Sequence, residues 1–98
     1  MSDLFDPPKA ISIVDDDKGV RVALETLMRS LGHNVSTFGS AEEFLESEKV
    51  DDASCVITDV QMPGLSGVNL QDRLIADGHR IPVIFITGNP AIGLGHAR

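Results

Sequence analysis

Short continuous apolar runs and longer stretches of helix-spaced apolar residues alternate along this chain. Ala10 to Val14 is a β-like run, and behind it Asp17 is placed to cap a helix from Lys18 to Leu31. In that helix Val20, Leu24, Leu27, Met28 and Leu31 recur at helical spacing, and Gly32 supplies the stop. Val35 to Phe38 reads as the next strand. Ser40-Ala41-Glu42-Glu43 then has the form of a capping box, opening a helix that shows Phe44 and Leu45 to the core and frays near Glu48. After a polar Asp51-Asp52 turn, Ser54 to Thr58 reads as a third strand, and a loop containing Pro63-Gly64 leads to a helix from about Gly67 to Asp77, ended by Gly78. Pro82 to Ile86 completes the pattern as a fourth strand.

The order βαβαβαβ predicts an α/β fold, a mostly parallel sheet with right-handed crossovers and helices on both faces. Strands buried on both faces read as unbroken apolar runs, and ligands of open α/β sheets sit beyond the strands' carboxyl ends. Acids occupy those positions here. Asp15, Asp16 and Asp17 follow the first run directly, and Asp59 follows Cys55 to Thr58. If the two strands are neighbours, these carboxylates converge.

Composition narrows the function classes. At 98 residues and 42% hydrophobic content, the chain has room for one core. Fifteen acidic against 8 basic residues, a net charge of −7, argue against nucleic-acid contact by this segment. The single cysteine, Cys55, allows no internal disulfide and fits a reduced, cytoplasmic setting. Residues 1–9 lack a basic start or a long apolar stretch, so they read as a flexible tail, neither signal peptide nor membrane anchor, ahead of one domain over 10–98. His33, His79 and His96 are too scattered for a zinc pattern, and Asp15-x-Asp17-x-Gly19 lacks the remaining acids of a calcium loop.

Three blocks carry a resemblance: Ile13-Val14-Asp15-Asp16-Asp17, then Thr58-Asp59-Val60-Gln61-Met62-Pro63-Gly64-Leu65-Ser66-Gly67, then Ile84-Phe85-Ile86-Thr87-Gly88. Over residues 10 to 90 the chain resembles a response-regulator receiver domain of bacterial two-component signalling. The middle block is the most specific. The resemblance implies a flavodoxin-like open parallel sheet of order 2-1-3-4, with Asp59 as phosphoacceptor and a sensor histidine kinase as partner. It further implies Mg2+ held by Asp16, Asp59 and the Gln61 backbone carbonyl, with Asp15 acting through water. Thr87 would hydrogen-bond the phosphoryl group, and the small Gly88 would leave room for it. The phosphoryl chemistry falls on the protein's own side chain, which argues against an enzyme acting on an external substrate. Clustered acids suit this role, because Mg2+ is bound by one or two carboxylates together with water and phosphate oxygens.

Each residue also has a plainer reading. Asp17 is better placed as a helix cap than as a ligand. Asp15 and Asp16 are alternatively solvated loop acids, Asp59 a turn residue, and Thr87 a simple β-former. The chain also departs from the family pattern: the fifth strand, its lysine and the last two helices have no counterpart, and the lysines present are Lys9, Lys18 and Lys49. The expectation is therefore a C-terminally truncated receiver whose Val83–Ile86 strand forms an edge. A homodimer through that strand or through uncovered helix faces would cover it. The alternative function is a non-switching receiver-like docking or dimerisation module.

Overall fold

The computed structural model describes residues 9–86. The readings of residues 1–8 as a tail, of Thr87 and Gly88 as part of a phosphoryl pocket, and of residues 88–98 as a loose turn lie outside them.

The strands are β1 (Ala10–Val14), β2 (Asn34–Phe38), β3 (Cys55–Asp59) and β4 (Val83–Ile86). They form one parallel sheet of order β2-β1-β3-β4, the expected flavodoxin-like arrangement. β1 and β3 are adjacent, with Val14 opposite Thr58. The residues that follow them in sequence therefore emerge side by side.

Strand alternation divides the apolar residues between two layers. Ile11, Ile13, Val35 and Ile57 face one side, covered by Leu24 and Met28 of α1 (Lys18–Ser30). Val14 and Val56 face the other. Against them pack Ala41 and Phe44 of α2 (Ala41–Leu45), Val50 of α3 (Lys49–Asp52), and Leu70 and Leu74 of α4 (Gly67–Ala76). Leu70 and Leu74 are fully buried, and such a leucine contributes about 1.5–3 kcal/mol. The solvent-exposed pairs Arg29–Glu25 and Arg73–Asp77 each add about 0.3–0.5 kcal/mol, so burial dominates. Phe38 at the end of β2 meets Phe44 edge to face, with ring centroids 5.3 Å apart, which fixes α2 beneath the carboxyl edge of the sheet.

The structure departs from the sequence reading in three places. The Asp51-Asp52 segment is not a turn; it ends the short helix α3, anchored by buried Val50. The helix opening at Ser40 stops at Leu45, before Glu48. On α1, Leu27 and Leu31 are 50% and 62% exposed although they share the apolar periodicity. Leu27 lies about 60° round the helix from Leu24, and Leu31 is the C-cap residue past the last turn.

Helix starts follow local chemistry. Asp17 Oδ1 accepts from the Gly19 and Val20 N–H groups at 2.8 and 3.2 Å, and Ser66 Oγ accepts from Asn69 N–H at 3.1 Å. At α2, Ser40 Oγ accepts from Glu43 N–H while Glu43 Oε1 accepts from Gly39 N–H, a capping box that reaches one residue further back than usual. Lys9 is tied to the sheet: its N–H donates to His33 Nδ1 and its carbonyl accepts from Asn34 N–H.

Candidate functional site

The sheet delivers its acids to one edge. Asp15 directly follows β1 and is fully buried; its N–H donates to the Phe38 carbonyl at 3.0 Å, which joins it to β2. Its Oδ1 accepts from the Asp17 N–H at 2.8 Å, and its carbonyl accepts from Arg21 Nη1 at 2.7 Å. Asp59 is the last residue of β3 and is 9% exposed, its Oδ1 accepting from the Gln61 N–H at 3.1 Å. Asp16 stands exposed at the rim. Asp15, Asp16 and Asp59 each offer a carboxylate oxygen, and those oxygens lie within 4.8 Å of one another.

That grouping is electrostatically unfavourable without a counter-charge. Burial pushes the Asp15 carboxyl above its ordinary range; the Asp17 N–H bond opposes this, while the charges of Asp59, Asp16 and Asp17 add to it. Asp15 Oδ2 is also buried without a hydrogen-bond partner. An orphaned carboxylate oxygen normally costs about 1–3 kcal/mol or more, so its position calls for a partner that the described residues do not supply. A hard divalent cation with its bound water would answer both features, the charge offsetting the carboxylates and the water donating to the orphaned oxygen. The residues fit Mg2+.

The backbone around Asp59 is closely packed. Gly67 opens α4 directly against it, its N–H donating to the Val60 carbonyl at 3.0 Å. A side chain at residue 67 would overlap the Asp59 carbonyl. Asp59 and Ser66 therefore bracket a tight loop in which Gly64 takes a left-handed backbone with φ of 78°.

The structure thus brings together Asp15, Asp16 and Asp59 and holds Gln61 next to them through its own N–H. Asp17 turns away from the cluster's role and caps α1. Thr87 lies outside the described residues. Two contributors were not singled out from the sequence: Arg21, which braces the Asp15 carbonyl, and Glu42, whose Oε2 accepts from the Leu65 N–H at 3.2 Å. Nothing in the local pattern marks Arg21. Glu42 was visible only as one of two adjacent glutamates in the capping sequence.

Cys55 is half-buried and free, with its thiol pushed up by burial, which suits a packing role. Among the described residues no helix is long and apolar enough to cross a membrane.

Comparison with known proteins agrees with this arrangement. Nodulation protein W of Bradyrhizobium diazoefficiens is 46% identical over 79 residues, spanning 81% of this chain and 35% of that protein. The solved response regulator StyR is 43% identical with a TM-score of 0.74, covering 83% of this chain and 41% of that one. TrrA from Thermotoga maritima, solved in complex with Mg2+-BeF, is 27% identical with a TM-score of 0.75, over 83% of this chain and 70% of that one. The chain spans well under half the length of such curated relatives, 35% for nodulation protein W and 38% for TmoT of Ectopseudomonas mendocina. The family model described as "Response regulator receiver domain" matches residues 11–95, a span that takes in both acid-bearing strand ends and the Gly67 helix start. With the sheet order, the acid cluster and these relatives in agreement, the chain belongs to the response regulator receiver domains.

Proposed function

We propose that Asp59 accepts a phosphoryl group from the phosphohistidine of a sensor histidine kinase. The observation that carries this reading is the buried orphan oxygen of Asp15 beside Asp16 and Asp59, a site built for a cation that a transferring phosphoryl group would share. Asp59 sits at the end of β3, which fixes its backbone, and its Oδ1 is oriented by the Gln61 N–H. The other carboxylate oxygen attacks phosphorus; the new O–P bond forms as the P–N bond to histidine breaks, and the imidazole nitrogen keeps the electron pair. Asp16, Asp59 and the Gln61 carbonyl would hold Mg2+, with Asp15 acting through water. When bound, that ion neutralises charge on the phosphoryl oxygens and the carboxylates. Thr87 is assigned the hydrogen bond to the phosphoryl group. The Mg2+-BeF complex of TrrA supports the metal and phosphoryl assignments. Relatives named as transcriptional regulatory proteins support an output in transcription.

The product is an acyl phosphate on the protein itself, so the chain is the recipient in a signalling transfer. The test is intact mass after incubation with a small-molecule phosphodonor and Mg2+, alongside Asp59→Asn. A phosphoryl adduct on the native chain and none on the variant is the expected result. A folded native chain that takes up no phosphoryl group, or an equal adduct on Asp59→Asn, overturns it.

One observation favours a second reading, a docking or dimerisation module. Among the described residues β4 pairs with β3 alone, and Ile84 and Phe85, which alternate across the sheet, are 51% and 37% exposed. A strictly monomeric species in sedimentation at high micromolar concentration sinks the dimer.

A further inference from the structure

The loop from Val60 to Ser66 carries Gln61, and its two ends are fixed near the acids: Gln61 N–H donates to Asp59 Oδ1, and Gly67 N–H closes onto the Val60 carbonyl. Its far side is held from another element. Glu42, in the first turn of α2, reaches across with Oε2 accepting from the Leu65 N–H at 3.2 Å, between residues 23 apart in sequence. Among the described residues this is the one hydrogen bond that joins the loop to α2.

A second observation points the same way. Gly64 has φ of 78°, and a β-carbon there would sit 2.6 Å from Glu42 Oε2 and 3.4 Å from Glu42 Cδ. The carboxylate thus lies directly over the Gly64 backbone. The positive φ favours glycine at residue 64, and a side chain there would have to displace the Glu42 carboxylate from its place over the loop. Apolar contacts run in parallel: Met62 and Leu65 pack on the cluster that contains Ala41 and Phe44 of α2.

The adjacent glutamate has a different task. Glu43 Oε1 accepts from the Gly39 N–H and closes the α2 cap, which leaves Glu42 free of any capping duty. Its side chain is exposed, so nothing in the core requires it.

From these contacts, and resting on the Mg2+ reading above, we infer that Glu42 is a positioning residue for the metal site. Its carboxylate clasps the loop through Leu65 and Gly64 and holds the Gln61 carbonyl in a ligating position. Losing that bond leaves the apolar contacts of Met62 and Leu65 as the loop's hold on α2, so the loop loosens, while the α2 cap made by Ser40 and Glu43 is kept. The loop would then have to be ordered at each binding event, which weakens binding.

The experiment is an amide NMR titration with MgCl2 on native chain, Glu42→Ala, Glu42→Gln and Glu43→Ala, with amide exchange at Leu65 measured in metal-free samples. Glu42→Ala is expected to weaken Mg2+ about 5- to 10-fold, at the lower edge of what loss of a supporting partner costs a metal site. Glu42→Gln keeps an acceptor oxygen and should stay within about twofold of native. Leu65 exchange should accelerate in Glu42→Ala and stay unchanged in Glu43→Ala, which lowers the melting temperature without moving the Mg2+ affinity. Saturable native binding that is unchanged in Glu42→Ala, or weakened equally in Glu43→Ala, overturns the role of Glu42 alone. A native chain with no saturable Mg2+ binding overturns the metal reading, and the role of Glu42 with it.

Discussion

Gly67 packs face to face with the backbone of Asp59: a β-carbon at residue 67 would overlap the Asp59 carbonyl oxygen and approach the carbonyl carbon to 3.1 Å and Thr58 Cγ2 to 3.2 Å. The first residue of α4 is therefore locked to the last residue of β3. Because Gly67 N–H also bonds the Val60 carbonyl, the position of Asp59 and the start of α4 are set together. The glycine is needed here for space and not for a left-handed backbone, since the positive φ values among the described residues fall at Gly32, Gly64 and Gly78.

Gly67→Ala separates that close approach from helix propensity. Alanine in a helix is worth up to about 1 kcal/mol over glycine, so propensity alone predicts stabilisation. The overlap with Asp59 should reverse the sign and destabilise the fold by about 1–3 kcal/mol, as overpacking does where neighbours must shift. Urea unfolding of the two proteins in EDTA reads the difference. A variant as stable as native would show that α4 moves away without cost.

Asp17 belongs to the acidic run but acts on the helix. Asp17→Ala removes the acceptor for the Gly19 and Val20 N–H groups and should cost about 0.5–2 kcal/mol, the usual loss for an N-cap. Its Mg2+ affinity should stay within about threefold of native, because the Asp17 side chain is committed to α1 and its backbone N–H, which orients Asp15, is retained. A tenfold loss of Mg2+ with unchanged stability would make Asp17 a ligand instead.

Much of this was legible in the chain, for identifiable reasons. The runs ending at Val14 and Thr58 are apolar because both faces of the sheet are covered, so the strands and the acids behind them could be placed from pattern alone. Their adjacency and the strand order came with the family resemblance. Helix α3 was missed because Asp51-Asp52 carries the polarity of a turn, and a single apolar residue, Val50, is all that anchors it. Leu27 and Leu31 fitted the helical period, but a period says nothing of how wide a stripe the sheet can cover. The bond from Arg21 to the Asp15 carbonyl and the clasp of Glu42 on the loop were invisible for a further reason: both join a side chain to a backbone atom, and a backbone partner leaves no mark in residue identities.

Asp15→Asn should stabilise the metal-free protein. Burial first, then the neighbouring acids, raise the Asp15 carboxyl above its ordinary value of 3.8, so the native state holds that proton more tightly than the unfolded chain. Stability from the protonated form is complete below the ordinary value and is lost as pH rises through the raised native one. Above that point the native chain keeps an unfavourable buried charge that the amide lacks. The variant's advantage in melting temperature should thus be greatest near neutral pH and shrink towards pH 3.8. Each kcal/mol of relief should appear as about 4–8 °C in a domain of this size. Thermal unfolding in EDTA across that range checks it, and a variant less stable than native at pH 7 would contradict it.

Asp16 offers the opposite case, because its carboxylate is exposed and, under the proposed ligand set, would serve mainly to complete the cation's ligands. Asp16→Asn should leave the metal-free melting temperature at or slightly above native, since it also removes one of the charges beside Asp15. It should yet weaken Mg2+ by about an order of magnitude or more, no less than loss of a supporting partner costs a metal site. Ligand linkage makes this visible without a binding assay: an ion held at 100 times its Kd stabilises the native state by about 2.7 kcal/mol, and at ten times by about half that. Adding MgCl2 in place of EDTA should therefore raise the native melting temperature by several degrees more than that of Asp16→Asn, while NaCl at equal ionic strength should raise the two alike. An equal Mg2+ response would mean that general screening of the acids at the ends of β1 and β3 accounts for the effect, with Asp16 outside the ligand set.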